Sequence, residues 1–210
     1  MSGALRNAKT PAFLLLAMIA ASARAGGGPL GMDHKLSYDD SGIYRRQIQK
    51  NLLSLMVVGD VAGALWEGDQ SRLGRTLWQS VDSTILASGS AAVMKAVFTR
   101  SRPTQTNDPN QFFQGSGHYS FPSGEVAAMS ALVTPFVLEY RQETPWIYAL
   151  EALPAYDMVA RMKVQAHWQS DVLAGFAVGT LSGYYAHSRQ KSFTLQILPG
   201  GFSIGLKREF

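Results

Sequence analysis

Five stretches of this chain carry apolar residues at spacings of three and four, which restricts it to packed helices. They cover residues 47–66, 80–99, 124–141, 145–162 and 168–188. Leu132, Phe136 and Tyr140 form one such stripe. A helix with an apolar stripe must bury it against another element, so a row of such helices implies a bundle. The predicted fold class is all-α, a bundle of about five to six helices. The C-terminus reads differently. Phe193, Leu195 and Ile197 alternate with polar residues, Pro199-Gly200-Gly201 follows, and Phe202, Ile204 and Leu206 alternate again. That pattern predicts a short β-hairpin over 191–210, capping the bundle or pairing with a partner.

The N-terminus has the three parts of a secretory signal. Arg6 and Lys9 make a basic start, residues 13–22 are apolar, and Ala23-Arg24-Ala25 places small residues where a signal peptidase reads. The expected division is a signal peptide at 1–25, a helical domain at 26–190 and the hairpin extension at 191–210. Removal of 1–25 takes away three bases and no acid. The chain then keeps 16 basic against 15 acidic residues, a net charge of +1. The pI of about 9.4 therefore resides largely in the leader, and a basic surface for nucleic acid is not expected. With no cysteine, disulfides, thiol nucleophiles and thiolate metal sites are excluded.

A membrane span needs about 20 consecutive apolar residues. The longest uncharged stretches, 83–94, 126–138 and 172–186, fall short of that. The expectation is a periplasmic bundle associated with a membrane surface, with an integral membrane protein as the alternative. Gly175, Gly179 and Gly183 recur at every fourth position, which permits close approach of another helix.

Three segments carry the chemistry. Lys95 and Arg102 are seven residues apart, two helical turns, and are expected on one helix face near its end, because Pro103 stops a helix. Pro122-Ser123-Gly124-Glu125 follows a long polar loop, 104–120, and opens a predicted helix whose backbone N–H groups would face an anion. Arg161 precedes His167, and Asp171 lies four residues beyond it, so that Asp171 could fix the histidine tautomer. Each segment alone has an ordinary structural account: solvated bases, a capped helix start, and a surface His–Asp pair.

In order and spacing they are more specific. Lys95, six residues, Arg102-Pro103; then Pro122-Ser123-Gly124; then Arg161, five residues, His167, three residues, Asp171: this resembles the signature of the type 2 phosphatidic acid phosphatase superfamily. That superfamily also includes class A acid phosphatases and vanadium haloperoxidases. Ser170-Asp171-Val172-Leu173-Ala174-Gly175 is similar to its usual continuation. The resemblance implies an all-α bundle of that type and a phosphatase without metal or other cofactor. Lys95, Arg102 and Arg161 would bind phosphoryl oxygens, with Ser123 and the Gly124 amide completing the cradle. His167 would be the nucleophile, forming a phosphohistidine, and Asp171 would orient it.

Two positions depart from the pattern. Ala160 stands where the family usually has Ser, and Glu125 stands where it has the histidine that protonates the leaving oxygen. Glu125 could itself be the acid/base. His118 in the preceding loop could supply the proton, or the leaving group, as in a pyrophosphate, could need none. The expected substrate is a phosphomonoester or pyrophosphate, of a lipid first and a small molecule second. The rival readings are a soluble periplasmic acid phosphatase, a non-catalytic phosphate-headgroup binder and a vanadate-dependent haloperoxidase.

Overall fold

The computed structural model describes residues 27–189 and 192–194. The expected signal segment lies outside the described residues. So does most of the expected hairpin; Phe193 and Thr194, which belong to it, are helical and not extended.

The helical expectation holds. The main elements are α1 (Arg46–Glu67), α2 (Arg72–Phe98), α3 (Gly124–Tyr140), α4 (Ala152–Lys163) and α5 (Gln169–Ser188), with a short 3₁₀ helix at Pro145–Glu151 leading into α4. No β-strand occurs among the described residues; an isolated bridge pairs Gly27 with Asp33. α2 starts eight residues before its predicted position. Ser71 caps it, accepting a hydrogen bond from the Gly74 amide at 2.9 Å. Gly74, Arg72 and Arg75 dilute the apolar pattern of those first turns, which is why the sequence alone places the start later.

α3 is the centre of the bundle. Every residue from Val126 to Pro135 is buried, so it is surrounded on all sides. Ala87 and Ala91 of α2 pack on Ala127 and Ala131 of α3. Val126 of α3, Met158 of α4 and Val172 of α5 form a second apolar cluster, and Ala64, Leu77, Trp78 and Val81 join α1 to α2. Pro135 has no N–H to donate, which leaves the Ala131 carbonyl without its helical partner. The Ser83 hydroxyl of α2 donates to that carbonyl at 2.6 Å, and Ser80 donates to the Leu132 carbonyl at 2.8 Å. Ser83 thus satisfies the acceptor that the proline would otherwise strand in the core, and Ser80 adds a second bond between the helices beside it.

The glycine stripe of α5 lies against α3. A Cβ on Gly175 would stand 2.4 Å from the Ser123 carbonyl oxygen, one on Gly179 2.3 Å from that of Ala127, and one on Gly183 2.4 Å from Cβ of Thr134. The backbones approach as closely as they do only because these positions lack side chains.

By length and composition, α1 and α2 are each able to cross a bilayer, against the sequence expectation. Asp60 in α1 and Asp82 in α2 interrupt the apolar runs without interrupting the helices. Only 17% and 28% of the best windows of α1 and α2 are buried, and Leu55, Val58, Leu65, Ile85, Val93 and Val97 are exposed.

Gly179→Ala should lower stability by about 1–3 kcal/mol, because the added methyl meets backbone that cannot yield. Gly59→Ala in α1 has open space around it and should be neutral or stabilising, by up to about 1 kcal/mol. Thermal unfolding of the two variants side by side checks the contrast.

Candidate active site

The candidate residues gather at one end of the bundle. The N-terminal ends of α1, α3 and α5 and the C-terminal ends of α2 and α4 all lie there, because successive helices run in opposite directions. The amides of the first turns of α3 and α5 lack intrahelical acceptors and bring partial positive charge to this end. The last turns of α2 and α4 carry Lys95 and Arg161, which offset the opposite sign of their own helix ends.

Lys95 and Arg102 do not share a helix face as expected. α2 ends at Phe98, and Thr99 turns the chain in the left-handed region (φ 34°, ψ 56°). Arg102 therefore sits in the loop beyond. The two cations still converge. Lys95 Nζ donates to the carbonyls of Tyr119 (2.8 Å) and Pro122 (2.5 Å), and Arg102 donates to those of Tyr119 (3.2 Å) and Ala166 (3.0 Å). Burial, with Arg102 and Arg161 nearby, brings the Lys95 pKa down to about 8.

Ser123 caps α3 and is fully buried. Its hydroxyl has no hydrogen-bond partner, while its amide donates to the Asp171 carbonyl at 2.9 Å. That bond ties the start of α3 to the start of α5. A Cβ on Gly124 would stand 3.6 Å from Cε of Lys95, so glycine keeps the space between the helix end and the lysine free.

His167 precedes α5 and is 4% exposed. Its Nδ1 lies 2.7 Å from the Ser120 carbonyl oxygen. A carbonyl only accepts, so Nδ1 carries the proton and Nε2 keeps its lone pair. Asp171 was expected to set this tautomer by a direct hydrogen bond; instead its Oδ2 lies 3.8 Å from Nδ1, too far for one. The reason is that His167 and Asp171 do not share a helical turn. Trp168 caps α5, and Asp171, at the third helical position, folds back to accept from the Trp168 amide at 2.8 Å. Burial, followed by Arg161 and Lys95, drives the His167 pKa down to about 3 against the opposing pull of Asp171. The ring is neutral.

Asp171 is itself fully buried and has partners that the sequence did not reveal. The Ser120 hydroxyl donates to it at 2.5 Å, and Arg100 Nη1 donates to its other oxygen at 2.5 Å. Burial pushes the Asp171 pKa upward, but His167, Arg100 and Ser120 together hold it below the usual carboxylate range. Arg100, which none of the spaced motifs includes, is fully buried. It also donates to Ser170 Oγ (2.8 Å), to Asp33 Oδ2 (2.6 Å) and to the Pro109 carbonyl (2.6 Å), and it stacks over the Phe112 ring at 4.5 Å. Asp33 in turn accepts from the Ser170 amide at 2.7 Å.

Glu125 has an unforeseen partner in Arg46, the first residue of α1. The guanidinium grips both carboxylate oxygens, with Nη1 2.5 Å from Oε2 and Nη2 on Oε1. Arg161 Nη1 lies 3.8 Å from the same Oε2. Gln49, fully buried in α1, shares its side-chain oxygen between Arg161 (3.1 Å) and Arg46 (3.3 Å). Burial pushes the Glu125 pKa up, but Arg46, Arg161 and His167 outweigh it and hold the carboxyl below its usual range. Asp157, one turn before Arg161, is fully buried with both oxygens unpartnered; burial and then Glu125 push it up to about 7. His118 Nδ1 lies 2.9 Å from Ser101 Oγ, in the loop beside Arg102.

Arg46 and Glu125 are 79 positions apart, and no local spacing signals such a pair. Arg100 did leave a trace, as a third base beside Arg102 ahead of the proline. Replacing it by Met should strand two buried carboxylates and cost about 3–5 kcal/mol, read from denaturant unfolding.

Comparison with known proteins agrees with this geometry. The PAP2 superfamily profile matches residues 76–194, which includes every one of the spaced motif positions. The chain is 30% identical over 152 residues to a lipid A 1-phosphatase of Porphyromonas gingivalis. The match covers 71% of this chain and 32% of that protein, so the chain spans about a third of its relative's length. No solved structure matches. The profile match over more than half the chain establishes that it belongs to the PAP2 superfamily.

Proposed function

We propose that this protein is a phosphatase that releases phosphate from a phosphorylated lipid through a phosphohistidine on His167. The observation that carries this is the state of His167. It is buried and neutral, its Nδ1 proton is engaged by the Ser120 carbonyl, and Nε2 is left with a lone pair. A neutral imidazole among Lys95, Arg102 and Arg161 is a poor cation but a ready nucleophile.

In the proposed reaction Lys95, Arg102 and Arg161 hold the phosphoryl oxygens, with the Ser123 hydroxyl and the Gly124 amide at the start of α3. Charge collects on those oxygens in the transition state, and fixed donors stabilise it there. Nε2 attacks phosphorus, the bond to the leaving oxygen breaks, and that oxygen keeps the electron pair. Water then attacks phosphorus, the P–N bond breaks and phosphate leaves. Asp171 acts at a distance, as a fixed negative charge beside the ring as it becomes cationic.

Two features support a lipid substrate. The matched relative is a lipid A phosphatase. The outward faces of α1 and α2 are long, apolar and exposed, suited to a lipid surface, with the site at the end of the same helices. A site facing the periplasm agrees with the expected secretory leader.

His167→Ala should abolish phosphate release, falling by roughly 10³-fold or more. The measurement is inorganic phosphate freed from a lipid phosphate in mixed micelles. Unchanged binding with no release from wild type would favour the headgroup-binder reading. The Lys95 pKa gives a second expectation. Lys95 loses its charge as pH rises through about 8, so KM should climb above that pH. Lys95→Arg, charged throughout, should flatten that rise.

A further inference from the structure

Resting on the phosphatase reading, the geometry points to Arg46 as a positioning residue that converts Glu125 from a possible acid into a fixed base, and so restricts the site to leaving groups that depart without a proton. The paired guanidinium engages both carboxylate oxygens at once and favours the ionised form, so the resting group has no proton to give a leaving oxygen, while each oxygen keeps a lone pair that can accept one. The charged groups around Glu125 agree with this. The cations are Arg46 from α1, Arg161 from α4, Lys95 from α2 and Arg102 from the loop beyond it, and the neutral His167 ring comes from the loop before α5. Against these cations stands Asp157 of α4.

Arg46 has a second effect. A bare carboxylate beside Arg161 would compete with phosphate for that cation and repel it. With Arg46 occupying Glu125, and Gln49 holding Arg46 and Arg161 on one oxygen, the carboxylate is kept 3.8 Å from Arg161 Nη1 and does not close on it.

The steps balance as follows. In the first, Nε2 of His167 forms the P–N bond, and the leaving oxygen takes the electron pair and departs unprotonated. In the second, Glu125 takes a proton from water as the water oxygen bonds to phosphorus. The P–N bond breaks, its pair returns to Nε2, and Glu125, which is partly exposed, passes the proton to solvent. A phosphate leaving group, as in a lipid diphosphate, needs no proton at its departure. An alkoxide does, and it forgoes the roughly 10²–10⁴-fold help that a general acid would give.

The test uses p-nitrophenyl and phenyl phosphate, which differ in the need of their leaving groups for a proton, with a lipid diphosphate and its monophosphate beside them. Wild type should favour p-nitrophenyl phosphate by roughly 10²-fold, the low end of that range, and should favour the diphosphate. Glu125→His should narrow both gaps. Arg46→Ala should raise KM for p-nitrophenyl phosphate by about tenfold or more. Arg46→Ala with Glu125→Gln should restore KM yet leave kcat low, because the competing carboxylate and the base are removed together. Thermal unfolding confirms that each variant is folded. Wild-type release with equal rates on both aryl phosphates, with KM unmoved in Arg46→Ala, or with KM still high in the double variant overturns the proposal alone. No release from any of the four substrates by wild type overturns the phosphatase reading and this inference with it.

Discussion

A single buried arginine, Arg100, holds the catalytic end of this bundle together. It is fully enclosed and lies between two enclosed carboxylates, Asp33 and Asp171. A guanidinium taken out of water is tolerable only if every donor finds an acceptor, and here the Pro109 carbonyl and Ser170 hydroxyl take what the carboxylates leave. The partners come from three places: the segment before α1, the long loop after α2, which supplies both the Pro109 carbonyl and the stacked Phe112 ring, and the start of α5. None of these could shift without exposing a charge to the interior. The position of Asp171, and through it the field felt by His167, is set by this arginine.

The same end of the molecule solves a second electrostatic problem. Three motif cations, the additional Arg46 and two helix N-termini concentrate positive potential in a small volume. Glu125 and Asp171 are the negative groups that offset these cations. The Glu125 carboxylate is taken up by Arg46 on α1, and the polar network closes through Gln49.

That these residues belong together was legible in the sequence because their spacings are short and ordered: Lys95 to Arg102, Ser123-Gly124, Arg161 to His167 to Asp171. Within each segment the geometry was less legible. The seven-residue spacing suggested one helix face for Lys95 and Arg102, yet α2 stops at Phe98 and the loop delivers Arg102. Four residues between His167 and Asp171 suggested a direct bond, yet the cap of α5 falls between them. Arg46, Gln49 and Asp33 were invisible because their partners are 67 to 137 positions away, and tertiary contacts of that range leave no local pattern. The helices themselves were read nearly to the residue, save the start of α2, where glycine and arginine blur the apolar period, and that of α4, where Pro145–Glu151 winds as a 3₁₀ helix ahead of it.

The glycine stripe of α5 has a consequence beyond packing. Gly175 lies against the carbonyl of Ser123, the residue that opens the anion cradle, and Gly179 and Gly183 continue the contact along α3. The Ser123 amide is bonded to Asp171 at the head of the same helix. The two helices therefore act as a caliper whose jaws are the starts of α3 and α5 and whose opening is fixed by hydrogen atoms in place of side chains. Under the proposed function, the room for a phosphoryl group between those jaws is set in the shank of the instrument, at residues that never meet the substrate.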